Sequence, residues 1–249
     1  MIQTVLAQIE NGKKRLDKLR PLDSISVLHA LDVEYTYESN RIEGNTLTLN
    51  ETALVIDKGL TVGGKSMREH LEALNHYEAV LFLRDIVRNE IPLTESLLRQ
   101  LHGLILRNID RDNAGIYRKQ VVAISGSRHI PPQPLDVPLL MEECFSWFEQ
   151  NKSHFHPVIL AAEMHERIVT IHPFIDGNGR TSRLIMNLLL LKSGYPIANI
   201  SGSMESRRAY YDALEKCNIG ETKDDFIILI ANEVLASMNK LLKIAGDKF

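Results

Sequence analysis

Cysteine is nearly absent from this chain: two among 249 residues, Cys144 and Cys217, far apart and in no metal-like spacing. That excludes a disulfide-stapled secreted scaffold and a cysteine-based zinc site, and it fits a reduced, cytoplasmic protein. An excess of charge of one sign is also missing. With 29 basic and 32 acidic residues the formal charge is -3, which gives no electrostatic reason for a nucleic-acid or membrane partner. Long apolar runs are lacking too, since "FIILIANEVLASMNKLLKI" is broken by Asn232, Glu233, Asn239 and Lys240. It reads as an amphipathic or buried helix, not a bilayer span. The start "MIQTVLAQIENGKK" has no basic region ahead of its apolar residues, so no secretion signal is expected. There is no low-complexity tract, repeat or Gly/Ser linker.

What is present is helical periodicity. "SISVLHALDVEYTYESNRIEG" reads as a helix ended by Gly44. "TLTLNETALVIDKG" opens on a capping box, Thr48 with Glu51, and closes at Gly59. "SMREHLEALNHYEAVLFLRDIV", "LTESLLRQLHGLIL" and "HPVILAAEMHERIVTI" are further helices, and "RTSRLIMNLLLLKSGYP" is apolar nearly all round, as a central bundle helix is. The basic run "NGKKRLDKLRP" reads as a solvated helix face. One region differs: "QVVAISGSRHIPPQP" predicts a small hairpin near 120–131 with an extended exit. The expected fold is all-α, a helical bundle with a small β-hairpin flap. Residues 1–60 form an N-terminal helical region and 61–249 the core, together one compact unit.

"GLTVGGKS" (Gly59 to Ser66) fits the phosphate-loop pattern G-x-x-x-x-G-K-[ST]. That loop needs a strand before it and a parallel sheet around it. Here a capped helix precedes it, so the segment is read as a helix–loop–helix turn.

The densest stretch is "IHPFIDGNGRTSR". Pro173 disfavours helix in the residue before it, so one helix should end near Ile171 and the next begin near Arg180. His172 then stands at the mouth of the first. Gly177-Asn178-Gly179 forms the turn into the second, where backbone N–H groups and the helix dipole favour phosphate. Arg180 and Arg183 share a face in the first turn, which is unfavourable for the helix unless an anion joins them. Asp176 beside such a hollow suits Mg²⁺. His172, titrating near neutrality, suits a base that takes a proton from an attacking hydroxyl. Phe174 is expected to plug the loop into the core.

His172-Pro-Phe-Ile-Asp176-Gly-Asn-Gly-Arg180-Thr-Ser-Arg183 resembles the signature H-P-F-x-[DE]-G-N-G-R-x-x-R of the Fic family. "VVAISGSRHIPPQP" is similar to the family's flap and "RRAYYDALEKCN" to its nucleotide-base segment, so the likeness covers most of the chain. The resemblance implies a Fic fold and an adenylyltransferase that moves AMP from ATP to a Ser, Thr or Tyr hydroxyl of a target protein. His172 would be the base, Asp176 the Mg²⁺ ligand, and Gly177, Asn178 and Gly179 the phosphate cradle. Arg180 and Arg183 would hold the β- and γ-phosphates, with Tyr210, Tyr211 and Asn218 on the adenine side. The phosphate-transferring Doc branch carries lysine at the position of Gly179. "SNRIEGN" resembles the inhibitory motif [ST]-x-x-x-E-[GN]. It implies that Glu43, at a helix C-terminus where a carboxylate wants a cation, pairs with Arg183 in the γ-phosphate's place, and that Ser39 orients Glu43 by a hydrogen bond. Two alternatives remain, a phosphodiesterase that removes AMP and a non-enzymatic nucleotide-sensing module. Self-modification and a homodimer are left open.

Overall fold

The computed structural model describes residues 2–19 and 25–246. Arg20, Pro21 and Ser24, at the ends of two predicted segments, lie outside the described residues. Ten helices follow in order: α1 (Ile2–Lys18), α2 (Ile25–Ile42), α3 (Leu49–Lys58), α4 (Met67–Arg88), α5 (Glu95–Ile105), α6 (Val137–Asn151), α7 (Pro157–Ile171), α8 (Asn178–Lys192), α9 (Met204–Asn218) and α10 (Asp224–Ile244). Among the described residues there is no strand. No described helix is long and apolar enough to cross a membrane.

The architecture is a bundle built around α8. Its side chains Leu184, Ile185, Met186, Leu188 and Leu190 have no exposed surface, as the all-round apolar sequence requires. Helix α7 lies along it, while α4, α5 and α2 cover its other sides. Helix α10 packs on α7 and α9, and α1 lies along α10. One apolar cluster runs from Leu6 and Ile9 in α1 to Leu241 and Leu242 in α10.

The turn between α3 and α4 settles the phosphate-loop pattern. Gly59 ends α3 in the left-handed region at φ 61, where glycine carries no Cβ penalty, and Ser66 caps α4. Both helices begin with complete capping boxes, Thr48 with Glu51 and Ser66 with Glu69. Lys65, the lysine of the pattern, donates to the carbonyl of Thr46 at 2.6 Å and to its hydroxyl at 3.0 Å. Hydrogen bonds from Thr46 and Ser66 hold the Glu69 carboxyl down to about 2. The loop is a knot between helices and offers no strand-fed hollow.

Two expectations are corrected. Helix α8 begins at Asn178, two residues before Arg180. The Asn178 amide bridges back to the Phe174 N–H and C=O, both at 2.9 Å, which closes the turn early. The flap has its tip turn, with Ser127 N–H donating to Ile124 C=O at 3.2 Å and Gly126 at φ 79. Its arms form no ladder. A lone two-stranded hairpin is marginal in water, and here side chains of the core take the arms' polar groups instead.

Lys65→Ala is expected to leave phosphate and nucleotide binding unchanged, and Thr48→Ala to cost about 1 kcal/mol of stability through the lost cap. Calorimetric nucleotide titration and urea unfolding check this; a lost nucleotide site in Lys65→Ala would restore the phosphate-loop reading.

Candidate active site

Helix α7 delivers His172 and helix α8 delivers the arginines. His172 takes the left-handed conformation at φ 50 and caps α7, its N–H still donating to Ile168 C=O at 3.0 Å. Arg118, 2% exposed, clamps the exit. It donates to the carbonyls of His172 at 2.8 Å, Gln120 at 3.2 Å and Pro132 at 2.6 Å. Burial lowers the His172 pKa to about 4, assisted by the charge of Arg118 and opposed by the Val169 carbonyl and Glu43. The ring is therefore neutral near pH 7 and free to accept a proton.

The loop between the helices is held from below. Phe174, fully buried, stacks face to face on His102 with centroids 3.6 Å apart. The Gly115 N–H donates to His102 Nδ1 at 2.9 Å, which fixes the tautomer, so Nε2–H donates to the Asp176 carbonyl at 2.9 Å. Burial pushes His102 down to about 4, in keeping with a neutral ring. On the loop's other side the Asp176 carboxylate accepts from the Gly177 N–H at 2.6 Å and from Arg180 at 3.3 Å. It also pairs with Arg68 of α4. Burial acts to raise its pKa, but Arg180, the Gly177 N–H and Arg68 outweigh this and lower it. Arg180, 2% exposed, lies 3.2 Å from Glu72 as well.

Among the described residues Arg183 is the largest fully buried side chain, at 1% exposure. Its Nη2 donates to Glu43 Oε1 at 2.7 Å and to the Ser39 carbonyl at 2.9 Å, its Nε to Ser39 Oγ at 3.1 Å, and its Nη1 to the Tyr210 hydroxyl at 3.4 Å. Burial acts against its charge, yet Glu43 and Tyr210 more than compensate and raise its pKa. His165, kept neutral by burial, accepts from the Tyr210 hydroxyl at 2.9 Å, leaving that oxygen's lone pairs for Arg183. Glu43 reaches this position from the end of α2 and crosses over Gly179. A Cβ at residue 179 would lie 2.3 Å from Glu43 Oε1 and 3.1 Å from Arg183 Nη1. Only glycine admits the carboxylate here, at the positive N-terminal end of α8.

The sequence expectations come together in part. Glu43, Ser39 and Tyr210 gather on Arg183, with Gly179 under the Glu43 carboxylate and Asp176 and Arg180 in the same turn. Ser39 was expected to orient Glu43. It bonds Arg183 instead, one turn back on α2, and no hydrogen bond joins it to Glu43 among the described residues. The Asn178 side chain is spent on Phe174, leaving its backbone to line the turn. The Tyr211 hydroxyl donates to the Ile42 carbonyl at 3.1 Å, tying α9 to the end of α2. Asn218 accepts from Thr170 of α7 at 2.6 Å, away from the arginines. Sequence reasoning missed His102, Arg118, Arg68 and Glu72. A lone histidine on the apolar face of α5 looks like core, and its partners come from two other segments.

Residues 92–190 match the profile of the Fic/DOC family. The chain is 38% identical over 232 residues to "Protein adenylyltransferase Fic" of Culex quinquefasciatus, covering 88% of this chain and 45% of that protein. To the protein of the same name in Drosophila melanogaster it is 38% identical over 200 residues, covering 80% and 40%. The chain thus spans less than half the length of these curated relatives. A solved Fic domain containing signaling protein from Bacteroides thetaiotaomicron superposes with TM-score 0.81 at 30% identity, covering 96% of this chain and 95% of that one. The Fic-1 structure from C. elegans superposes with TM-score 0.84 at 26% identity, covering 97% and 73%.

The two depressed histidines set a pH expectation. Between pH 6.5 and 4 the unfolded chain takes up protons at His102 and His172 that the folded chain refuses. Stability is therefore full above about pH 6.5 and falls as pH drops toward 4, by roughly 3 kcal/mol for each ring. Urea unfolding at pH 7, 5.5 and 4.5 should show the decline, and His102→Gln should make it shallower. An equally steep decline in the variant would assign the loss to other groups.

Proposed function

Because the chain belongs to the Fic/DOC family, we propose that it is a protein adenylyltransferase held shut by its own α2. The substrate would be ATP, and the acceptor a Ser, Thr or Tyr hydroxyl of a target protein. The observation that carries this reading is the Glu43 carboxylate lodged against Gly179 and Arg183, at a helix N-terminus suited to a phosphate. An acid side chain there stands in for the anion that the arginines would otherwise hold.

In the open state the released Arg183, with Arg180, would take the terminal phosphates, and the backbone of Gly177 to Gly179 would cradle them. His172 would accept the proton of the target hydroxyl as its oxygen attacks the α-phosphorus, and pyrophosphate would leave toward the two arginines. Asp176 fits a Mg²⁺ site of the kind that uses one carboxylate with phosphate oxygens and water. Its carboxyl is held ionised by its neighbours, and the described residues contain no metal cage built from protein ligands alone. Bound there, magnesium would neutralise charge on the phosphate oxygens. Tyr210, Tyr211 and Asn218 would flank the base. The two free, buried cysteines suit a reducing, cytoplasmic setting.

One observation favours a second reading. Glu43 lies near enough to His172 to favour the protonated ring. A water between the two could be directed at an AMP ester on a modified protein, which would make the same site a phosphodiesterase.

Incubation with Mg²⁺ and α-labelled ATP, with and without cell lysate, separates these. If the closed state is preferred by about 3 kcal/mol, Glu43→Gly should raise labelling roughly a hundredfold. Adding His172→Ala should abolish it, and label without lysate would mark self-modification. Wild type stripping AMP from a modified protein, with Glu43→Gly inactive, would replace the transferase reading by the second.

A further inference from the structure

A cavity of about 740 Å³ opens between α2, α4, α10 and the segment after α8, and none of the arginine-site residues lines it. Leu28, Leu31, Leu191, Ile197, Ala236 and Leu241 make its walls apolar. Both the size and the lining are those of small-molecule sites, which surround an apolar body and fix it by a few polar groups.

The polar groups here are unevenly matched. Arg84 donates to Asp32 at 2.7 and 2.5 Å, and Lys240 pairs with Glu34, so both cations at the cavity are taken. Two polar groups on the lining, Asn199 and Glu233, are left over. Tyr35, 1% exposed, turns its hydroxyl toward Asn187 and Arg183 of α8, whereas the buried Asn199 Oδ1 has no hydrogen-bond partner. Glu233 forms no ion pair among the described residues. Burial and the nearby Glu38 raise its pKa, as expected of a carboxyl lacking a cation. Asp32, Glu34 and Glu233 against Arg84 and Lys240 leave one negative charge in excess. Among the described residues the wall therefore presents unpaired acceptors and no unpaired cation, which is complementary to a positively charged donor.

We infer that this cavity binds a small apolar amine. Its ammonium would meet Glu233 and Asn199 Oδ1, and its apolar body would lie between Leu31 and Leu241. A fatty acid or a phosphate ester would set anion against Glu233 and is excluded by the same charge count. The site also touches the inhibitory helix. Tyr35 on the cavity wall stands one turn before Ser39, and its uncharged phenol lies near Arg183.

Isothermal titration with decylamine, decanol and decanoate, on the full chain without nucleotide, tests this independently of any catalytic activity. Decylamine should bind saturably at one site, more tightly than decanol and far more tightly than decanoate. Glu233→Gln should weaken decylamine at least tenfold and leave decanol within about twofold. Ala236→Trp, which fills the cavity, should abolish binding of both, and Leu31→Phe serves if that variant does not fold. The inference is overturned if wild type shows no saturable decylamine binding. It is equally overturned if decanoate binds as well as the amine, or if the variants leave decylamine affinity unchanged, which would mean adsorption elsewhere.

Discussion

Moving the charge of Arg183 out of water would cost several kcal/mol if the guanidinium were left unpaired, and the site is arranged around meeting that demand. Ser39 supplies a hydroxyl and a carbonyl, Tyr210 a phenol oxygen, and Glu43 the only full negative charge among its hydrogen-bond partners in the described residues. The first three are fixed in packed helices. Glu43 is the one partner with substantial exposure, 31% of its side chain. The position is therefore electrostatically obligatory but its occupant is replaceable. A group that took the place of Glu43 would have to meet the same charge, so the position favours an anion.

The rest of the loop is built for rigidity. Asn178 ties the turn to Phe174, Phe174 stacks on His102, His102 holds the Asp176 carbonyl, and Arg118 pins the exit of α7. Each link is a buried polar group satisfied by backbone or a buried ring against another, so displacing one exposes the next. Such a frame keeps His172, Asp176 and the α8 N-terminus at fixed separations while α2 carries the one replaceable contact. The rigid frame and the exposed contact thus fall on different elements.

This division also explains what could be read in the sequence. Helices α2, α3, α4 and α7 declare themselves through local chemistry: periodicity, capping boxes at Thr48 and Ser66, Gly59 as a stop, Pro157 in a first turn. The dense run from His172 to Arg183 was visible for the same reason, all its parts lying in one short segment. The start of α8 was misplaced because three loop-like residues hide an Asn178 bridge that depends on the fold of Phe174. His102 and Arg118 were invisible because their partners lie on other elements, and Ser39 was assigned the wrong partner because its hydrogen bonds run to a residue 144 positions away. The flap's arms read as strands by composition. Glu215 accepts from the Arg128 N–H at 2.7 Å, and Arg118 takes the Gln120 and Pro132 carbonyls, so side chains hold backbone groups that a ladder would have used.

The separation of 140 residues between Glu43 and Arg183 gives the molecule a direction in time. A ribosome adding about 5 to 20 residues per second makes α2 on the order of ten seconds before α8 leaves the exit tunnel. The carboxylate is thus present before there is a guanidinium to receive it. Arg183 then enters the core with Glu43 already tethered nearby, so the pair forms within one chain, where the effective concentration of each partner is high. The order of translation thus supplies the counter-charge before the cation that must be buried against it.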